Sequence, residues 1–203
     1  MISCFRGRFK VTSPRGWRTL NGVKEYHGGL DLVALDDVTV YAVADGTVDA
    51  TPYEPGGFGY YVRQVLPDGK RIYYGHMVRG SITVKAGQAI RAGDALGVMG
   101  ASGRATGAHT HLEIRPAGTG KTSLDIGAFT GIPNAVGTYK TEEKTMARFE
   151  DTKNHWAERD IDELVNMGIV NGVDAAHFDP DRPVTRAEAA TLIRRAVRFI
   201  TGK

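Results

Sequence analysis

A mainly β domain of antiparallel sheets, followed by a small all-α helix–loop–helix domain, is the fold class this sequence predicts. Three observations predict it. The chain carries 26 glycines in 203 residues, which calls for many turns. Apolar and β-branched runs of four to eight residues alternate with those turns through residue 132; runs of that kind are strands, and many short strands make an antiparallel domain. Helix-like spacing of apolar residues begins only after Phe149. The expected organisation is a first domain at 1–132, a linker at 133–147 and a second domain at 148–203.

In chain order, residues 1–26 read as irregular or short-stranded, with Pro14-Arg15-Gly16 as a turn. Val38 to Ala44 is β-branched and apolar, and Asp45-Gly46 predicts a hairpin into Thr47 to Ala50. Tyr60–Leu66 and Arg71–His76 are strands joined by Pro67-Asp68-Gly69. Ala95–Met99 is a further strand, and Gly100 to Gly107 is a loop of small residues. Ala108 to Arg115 then alternates, with His109, His111, Glu113 and Arg115 opposite Thr110, Leu112 and Ile114. After the linker, Trp156, Ile161, Leu164, Val165 and Met167 recur at helical spacing up to Gly168. Thr185, followed three residues later by Glu188, is a capping box that opens a second helix through Leu192, Ile193, Ala196 and Val197. That tail of about fifty-five residues is barely large enough for a core of its own.

Composition narrows the function classes. Apolar residues make up 41% and charged residues 24%, a globular balance. No apolar run approaches the ~20 residues of a bilayer-spanning helix, so no membrane insertion is expected. The single cysteine, Cys4, leaves neither an internal disulfide nor a thiolate metal site. Residues 1–140 hold 16 Lys/Arg against 11 Asp/Glu, whereas 141–203 hold 10 against 12. A basic first domain suits an acidic polymer, but basic runs interleaved with aromatics are missing, so nucleic acid is not the expected partner. Met1–Val11 has basic residues without a following apolar stretch and does not read as a secretory signal.

The chemistry concentrates in histidines. Four of the six, His27, His76, His109 and His111, fall in the β part. Side chains alternate along a strand, so His109 and His111 leave one face while Leu112 and Ile114 enter the core. Asp31 offers a hard carboxylate, and His27 precedes it by four residues on a glycine-rich stretch that lets the backbone close around an ion. Two imidazoles and one carboxylate leave a fourth tetrahedral position open, as in a catalytic zinc site. Spacing alone leaves His109 and His111 interchangeable as ligands. His76 ends a strand on which Ile72, Tyr74 and His76 share a face; beside the His109 strand it supplies a further imidazole for proton transfer or oxyanion binding. Glu113 on the histidine face, and Arg18 and Tyr74 near a cleft, are candidates to support the site.

Together, His27-Gly-Gly-Leu-Asp31, Gly46-Thr-Val, Tyr74-Gly-His76-Met and Gly107-Ala-His109-Thr-His111-Leu-Glu113 resemble the lysostaphin-type zinc metalloendopeptidases of peptidoglycan. The resemblance runs from about Phe9 to Phe129. It implies a duplicated hybrid motif of antiparallel sheets and one Zn2+ per chain, held by His27, Asp31 and His111. It also implies His109 and His76 as catalytic histidines, one a base and one steadying the oxyanion, and a substrate bond in a wall stem peptide or cross-bridge. All three ligand positions are filled, unlike in relatives that act only as activators. The alternative expectation is a non-catalytic wall-binding or activator protein with a structural zinc.

The tail, through Phe149-Glu-Asp151, His155-Trp156-Ala157, Gly168-Ile-Val-Asn-Gly172, Phe178-Asp-Pro180 and Val184-Thr-Arg-Ala-Glu-Ala189, is similar to one S-layer homology repeat. That resemblance implies binding to secondary polysaccharide of Gram-positive walls through Trp156, Thr185, Arg186 and Glu188. Such repeats usually come in threes, so a single copy implies either a homotrimer through the tails or weak binding alone. A wall enzyme without a leader reads as a phage or prophage endolysin, made in the host cytoplasm and released to the wall.

Overall fold

The computed structural model describes residues 1–20, 22–118, 120–141, 149–153 and 155–201. It forms two compact units, Met1–Glu142 and Glu143–Lys203. In the first, strands run β1 (Arg8–Ser13), β2 (Gly16–Leu20), β3 (Val23–His27), β4 (Leu30–Ala34), β5 (Thr39–Tyr41), β6 (Gly46–Ala50), β7 (Tyr53–Glu54), β8 (Gly59–Val65), β9 (Arg71–Met77), β10 (Ala89–Ile90), β11 (Ala95–Val98), β12 (Thr110–Arg115) and β13 (Gly137–Lys140). The short helix α1 (Ile126–Thr130) follows β12, capped by the Asp125 side chain and by left-handed Gly131.

Nine strands form one antiparallel sheet in the order β10-β6-β8-β9-β12-β4-β1-β13, with β7 against β8. Two small sheets, β11-β5 and β2-β3, complete the unit. The core gathers Phe5, Phe9, Leu30, Leu32, Val40, Ile72, Tyr74, Leu96, Leu112 and Ile114 into one buried cluster. Strand periodicity makes this possible: on β12, Leu112 and Ile114 join that cluster, while His111 and Glu113 leave the other face. The sheet thus has a core face and a chemical face.

Several expectations are corrected here. Of the two readings of residues 1–26, irregular or short-stranded, the second holds from Arg8 onward, and β1 pairs with both β4 and β13 inside the main sheet. Phe9 and Val11 are fully buried between exposed Arg8, Lys10 and Thr12, a strict period of two. The hairpin across Asp45-Gly46 does not form, because β5 pairs with β11 while β6 pairs with β8 and β10. Gly46 serves a different need: a Cβ there would overlap the Val65 carbonyl oxygen of β8. The expected linker is ordered in its first part, where Gly137–Lys140 completes the edge of the main sheet beside β1. Its remainder, 142–147, lies outside the described residues. The turn at Pro67-Asp68-Gly69 does join β8 to β9, with Gly69 at φ 81°.

The second unit holds a 3-10 turn (Glu150–Thr152), α2 (Glu158–Asn166) and α3 (Arg186–Thr201). Phe149, Ile161, Val165, Ile169 and Val170 are its buried core, with Phe178, Leu192 and Ala196 packed against them. The capping box is present: the Thr185 amide donates to Glu188 Oε2 at 2.8 Å, and the Glu188 amide donates to Thr185 Oγ1 at 3.2 Å. Ile193, Val197 and Ile200, at helical spacing along α3, are 65%, 52% and 81% exposed. No helix among the described residues is long and apolar enough to cross a membrane.

Candidate metal centre

β4 lies between β1 and β12, and the ladder sets Asp31 directly opposite His111. Opposed residues on neighbouring strands share a face, which brings the carboxylate to the imidazole. His27 ends β3, and Gly28-Gly29 turns the chain straight into β4. A Cβ at Gly29 would overlap the Leu112 carbonyl oxygen and lie 2.8 Å from His111 Nε2, so only glycine lets this turn reach the site.

Three atoms then form a near-equilateral triangle. His27 Nε2 is 3.0 Å from Asp31 Oδ1 and 3.0 Å from His111 Nδ1, and His111 Nδ1 is 2.9 Å from Asp31 Oδ1. Ligand atoms at tetrahedral zinc distances of about 2.0–2.1 Å stand ~3.3 Å apart, close to these edges. The opposite side of every group is already engaged. His27 Nδ1 lies 2.8 Å from the Pro14 carbonyl, which only accepts, so Nδ1 donates and Nε2 keeps a lone pair. His111 Nε2 faces Glu113 Oε2 at 3.0 Å, which leaves the lone pair on Nδ1. Asp31 Oδ2 accepts from Arg18 Nη1 at 3.0 Å. Lone pairs of His27, Asp31 and His111 therefore converge on one point, and these residues fit a divalent metal ion.

The electrostatics agree with a cation there. Burial acts to raise the Asp31 carboxyl, but with protons in place of a metal ion the His111 and His27 rings beside it outweigh burial and hold it well below the usual range. Burial acts to lower His111, yet its bonds to Asp31 and Glu113 lift it to about 9. A proton held between His111 and Asp31 occupies the place a metal ion would take, so the two compete.

The other two histidines approach the same point. His109 Nε2 is 3.5 Å from Asp31 Oδ1, and its Nδ1 donates to the Gly107 carbonyl at 2.8 Å. The His76 ring centre is 4.6 Å from that of His109, and its Nδ1 donates to the Ser102 carbonyl at 2.8 Å. Both present Nε2 to the cleft. Burial pushes His76 down to about 4, so its ring is neutral at neutral pH. Together these residues line a cavity of about 270 Å³ with Arg104 and Phe58.

Two placements differ from expectation. His76 does not share the face of Ile72 and Tyr74. At φ 64° it sits in the left-handed region, which turns its ring from the core face to the chemical face. Tyr74 stays behind in the core, fully buried, with its hydroxyl donating to Gln64 Oε1 at 2.6 Å and accepting from the Val43 amide at 3.0 Å. It does not support the site. Glu113 and Arg18 do touch ligands, as given above. Sequence reasoning missed Glu25, which binds both Arg18 (2.9 Å) and Arg104 (2.8 Å) and braces the arginine on Asp31. Glu25 stands two residues before His27 on β3, and that same-face spacing was its signal. The Pro14 and Ser102 carbonyls carry no side-chain signature.

In the second unit Trp156 is 87% exposed ahead of α2, and Arg186 is exposed at the start of α3. Thr185 and Glu188 are engaged with each other, and Arg182 Nη2 donates to Glu188 Oε1 at 2.7 Å.

Comparison with known proteins places both units. Residues 25–123 match the profile of Peptidase family M23, and residues 148–190 match that of the S-layer homology domain. An uncharacterized metalloprotease of Haemophilus influenzae is 33% identical over 112 residues, which is 54% of this chain and 23% of that protein. Peptidoglycan DD-endopeptidase ShyC of Vibrio cholerae is 31% identical over 106 residues, 50% of this chain and 23% of that protein. The chain thus spans about a quarter of the length of these curated relatives. Among solved structures, a catalytic-domain variant of the prophage-encoded M23 protein EnpA from Enterococcus faecalis superposes with a TM-score of 0.51 at 31% identity, covering 58% of this chain and 88% of that one. This chain carries a peptidase family M23 domain of lysostaphin-like fold, followed by an S-layer homology domain.

Proposed function

We propose that the first unit is a zinc endopeptidase that cleaves a peptide bond in a stem peptide or cross-bridge of bacterial peptidoglycan. The observation that carries this reading is the convergence of three lone pairs, from His27, Asp31 and His111, at the floor of an open cleft. The likeness to ShyC, a peptidoglycan DD-endopeptidase, supports the substrate class. Zinc bound by those three residues supplies Lewis acidity, which lowers the pKa of water from about 16 towards about 7 and polarises a carbonyl. The chain's own residues do the rest. His109 lies nearest the ligand triangle, so it accepts a proton at Nε2. His76 faces the same space; its Nδ1 is held by the Ser102 carbonyl, so it steadies a developing oxyanion only once its Nε2 has taken up a proton. Arg18, braced by Glu25, keeps Asp31 Oδ1 aimed at the metal and transfers no proton.

The second unit in this reading attaches the enzyme to secondary wall polysaccharide of Gram-positive cells. Trp156 offers an exposed indole and Arg186 an exposed fork for an anionic substituent, while Thr185 and Glu188 hold the helix end that presents them. The exposed stripe of α3 supports a homotrimer through the tails. Likeness to a prophage-encoded M23 protein supports a phage or prophage lysin acting at the wall.

The test is release of new amino termini from purified Gram-positive peptidoglycan. Wild type is compared with His111→Ala, before and after a chelator and again after added zinc. We expect activity lost on chelation, restored by zinc and absent in the variant. Zinc bound without any release of termini would instead leave the activator reading.

A further inference from the structure

A second cavity, of about 340 Å³, adjoins the metal cleft. Tyr26, Gly28 and Glu113 line both spaces. The remaining charged wall of the second cavity is Arg15, Arg115 and Lys121, so three cations face one carboxylate. That carboxylate is already engaged: Glu113 accepts from Arg115 Nε at 2.6 Å and from His111. Arg115 is further held over the Tyr73 ring, 4.6 Å from its centre.

Arg15 is different. Its Nη2 donates to the Ser123 carbonyl at 2.9 Å, a neutral partner, and its guanidinium lies 5.4 Å from the centre of the Tyr26 ring. Its Nε is shut off from solvent and has no hydrogen-bond partner among the described residues. It is therefore the Nη end of the guanidinium that the cavity can offer to an incoming oxygen. The passage between the two spaces stays open because residue 28 is glycine; a Cβ there would stand 3.0 Å from the Glu113 carboxylate.

We propose that this cavity is a carboxylate subsite: it takes a free carboxylate of the same peptide whose scissile bond lies in the metal cleft. The proposal rests on the peptidase reading above. Arg15 supplies a planar fork that matches two carboxylate oxygens, and Lys121 supplies a point charge at the rim. A peptide chain passing over Gly28 reaches both spaces at once, which links the group bound in the second to the bond cut in the first. The subsite therefore selects acidic over amidated wall peptides.

Two pairs of soluble wall peptides test it with the zinc-loaded full chain. In one pair the terminal carboxylate is free or amidated; in the other an internal side-chain carboxylate is free or amidated. One readout is kcat/KM, and the other is the shift of the Lys121, Thr122 and Ser123 amide signals in a 15N spectrum, which needs no turnover. A charge-assisted bond of this kind corresponds to roughly tenfold selectivity. We expect that preference for the free acid in one of the two pairs, carried mainly in KM, and the responding pair identifies which carboxylate is bound. In Arg15→Gln and Lys121→Gln the ratio should fall towards one. Equal rates and equal shifts for acid and amide in both pairs overturn the subsite, as does a preference that survives both substitutions. If shifts follow the carboxylate but no peptide is cut, the subsite stands and the peptidase reading falls.

Discussion

His111 is bound on both sides of one ring: Nδ1 faces His27 and Asp31, and Nε2 faces Glu113. The role of Glu113 can be measured apart from catalysis. Glu113→Ala removes the acceptor that keeps the His111 lone pair on the metal side, and we expect zinc affinity to fall about 10- to 100-fold. A competitive titration against a chromogenic chelator reads it; unchanged affinity would mean that His111 keeps its tautomer without help. At this scale the sequence was most legible where chemistry and strand period coincide. His111 and Glu113 alternate with Leu112 and Ile114, so their face was readable, and glycines around Asp31 marked a close approach. His76 was misread because one left-handed residue reverses which face a side chain leaves, and a dihedral of 64° leaves no trace in a hydrophobic pattern. Tyr74 was misread with it, by the same shared-face assumption.

Among the elements, α3 depends visibly on its first turn. The Glu188 carboxyl is held down to about 2, first by the Arg182 guanidinium and then by the Thr185 amide. Since its folded value is below the ordinary 4.5, its contribution is complete above that value and is lost as the pH falls through about 2. Helicity of the tail, followed by circular dichroism, should therefore decline across this window. In Glu188→Gln, which accepts the same bond without titrating, the part of the decline due to this residue should vanish. Thr185→Ala should cost about 1 kcal/mol at any pH. The capping box was legible because its signature is a local spacing of three residues. β1 was also written in the sequence, as Phe9 and Val11 between polar neighbours, yet the turn signals around it left short strand and irregular chain both open. The partner of β5 was not legible: Asp45-Gly46 looks like a turn, and only the tertiary approach of β8 explains that glycine.

For the whole chain, the exposed stripe of Ile193, Val197 and Ile200 bears on assembly. Sedimentation should find association that grows with protein concentration, and Ile193→Glu or Ile200→Glu should return the chain to monomer while the helix persists. A monomer at all concentrations would mean that the repeat works singly. The sheet itself has a seam. Strands β10, β6, β8, β9 and β12 form one half and β4, β1 and β13 the other. The halves meet in a ladder of only three paired positions, Thr110 with Leu32, His111 with Asp31 and Leu112 with Leu30. The middle pair consists of two of the proposed zinc ligands, one from each half. A metal ion held there acts as a rivet between halves of the sheet, joining two residues that lie 80 positions apart in the chain. Withdrawing it should unzip that ladder before the rest of the sheet: amides of Leu30, Leu32, Thr110 and Leu112 should exchange faster with deuterium after chelation, while those of β8 and β9 keep their protection.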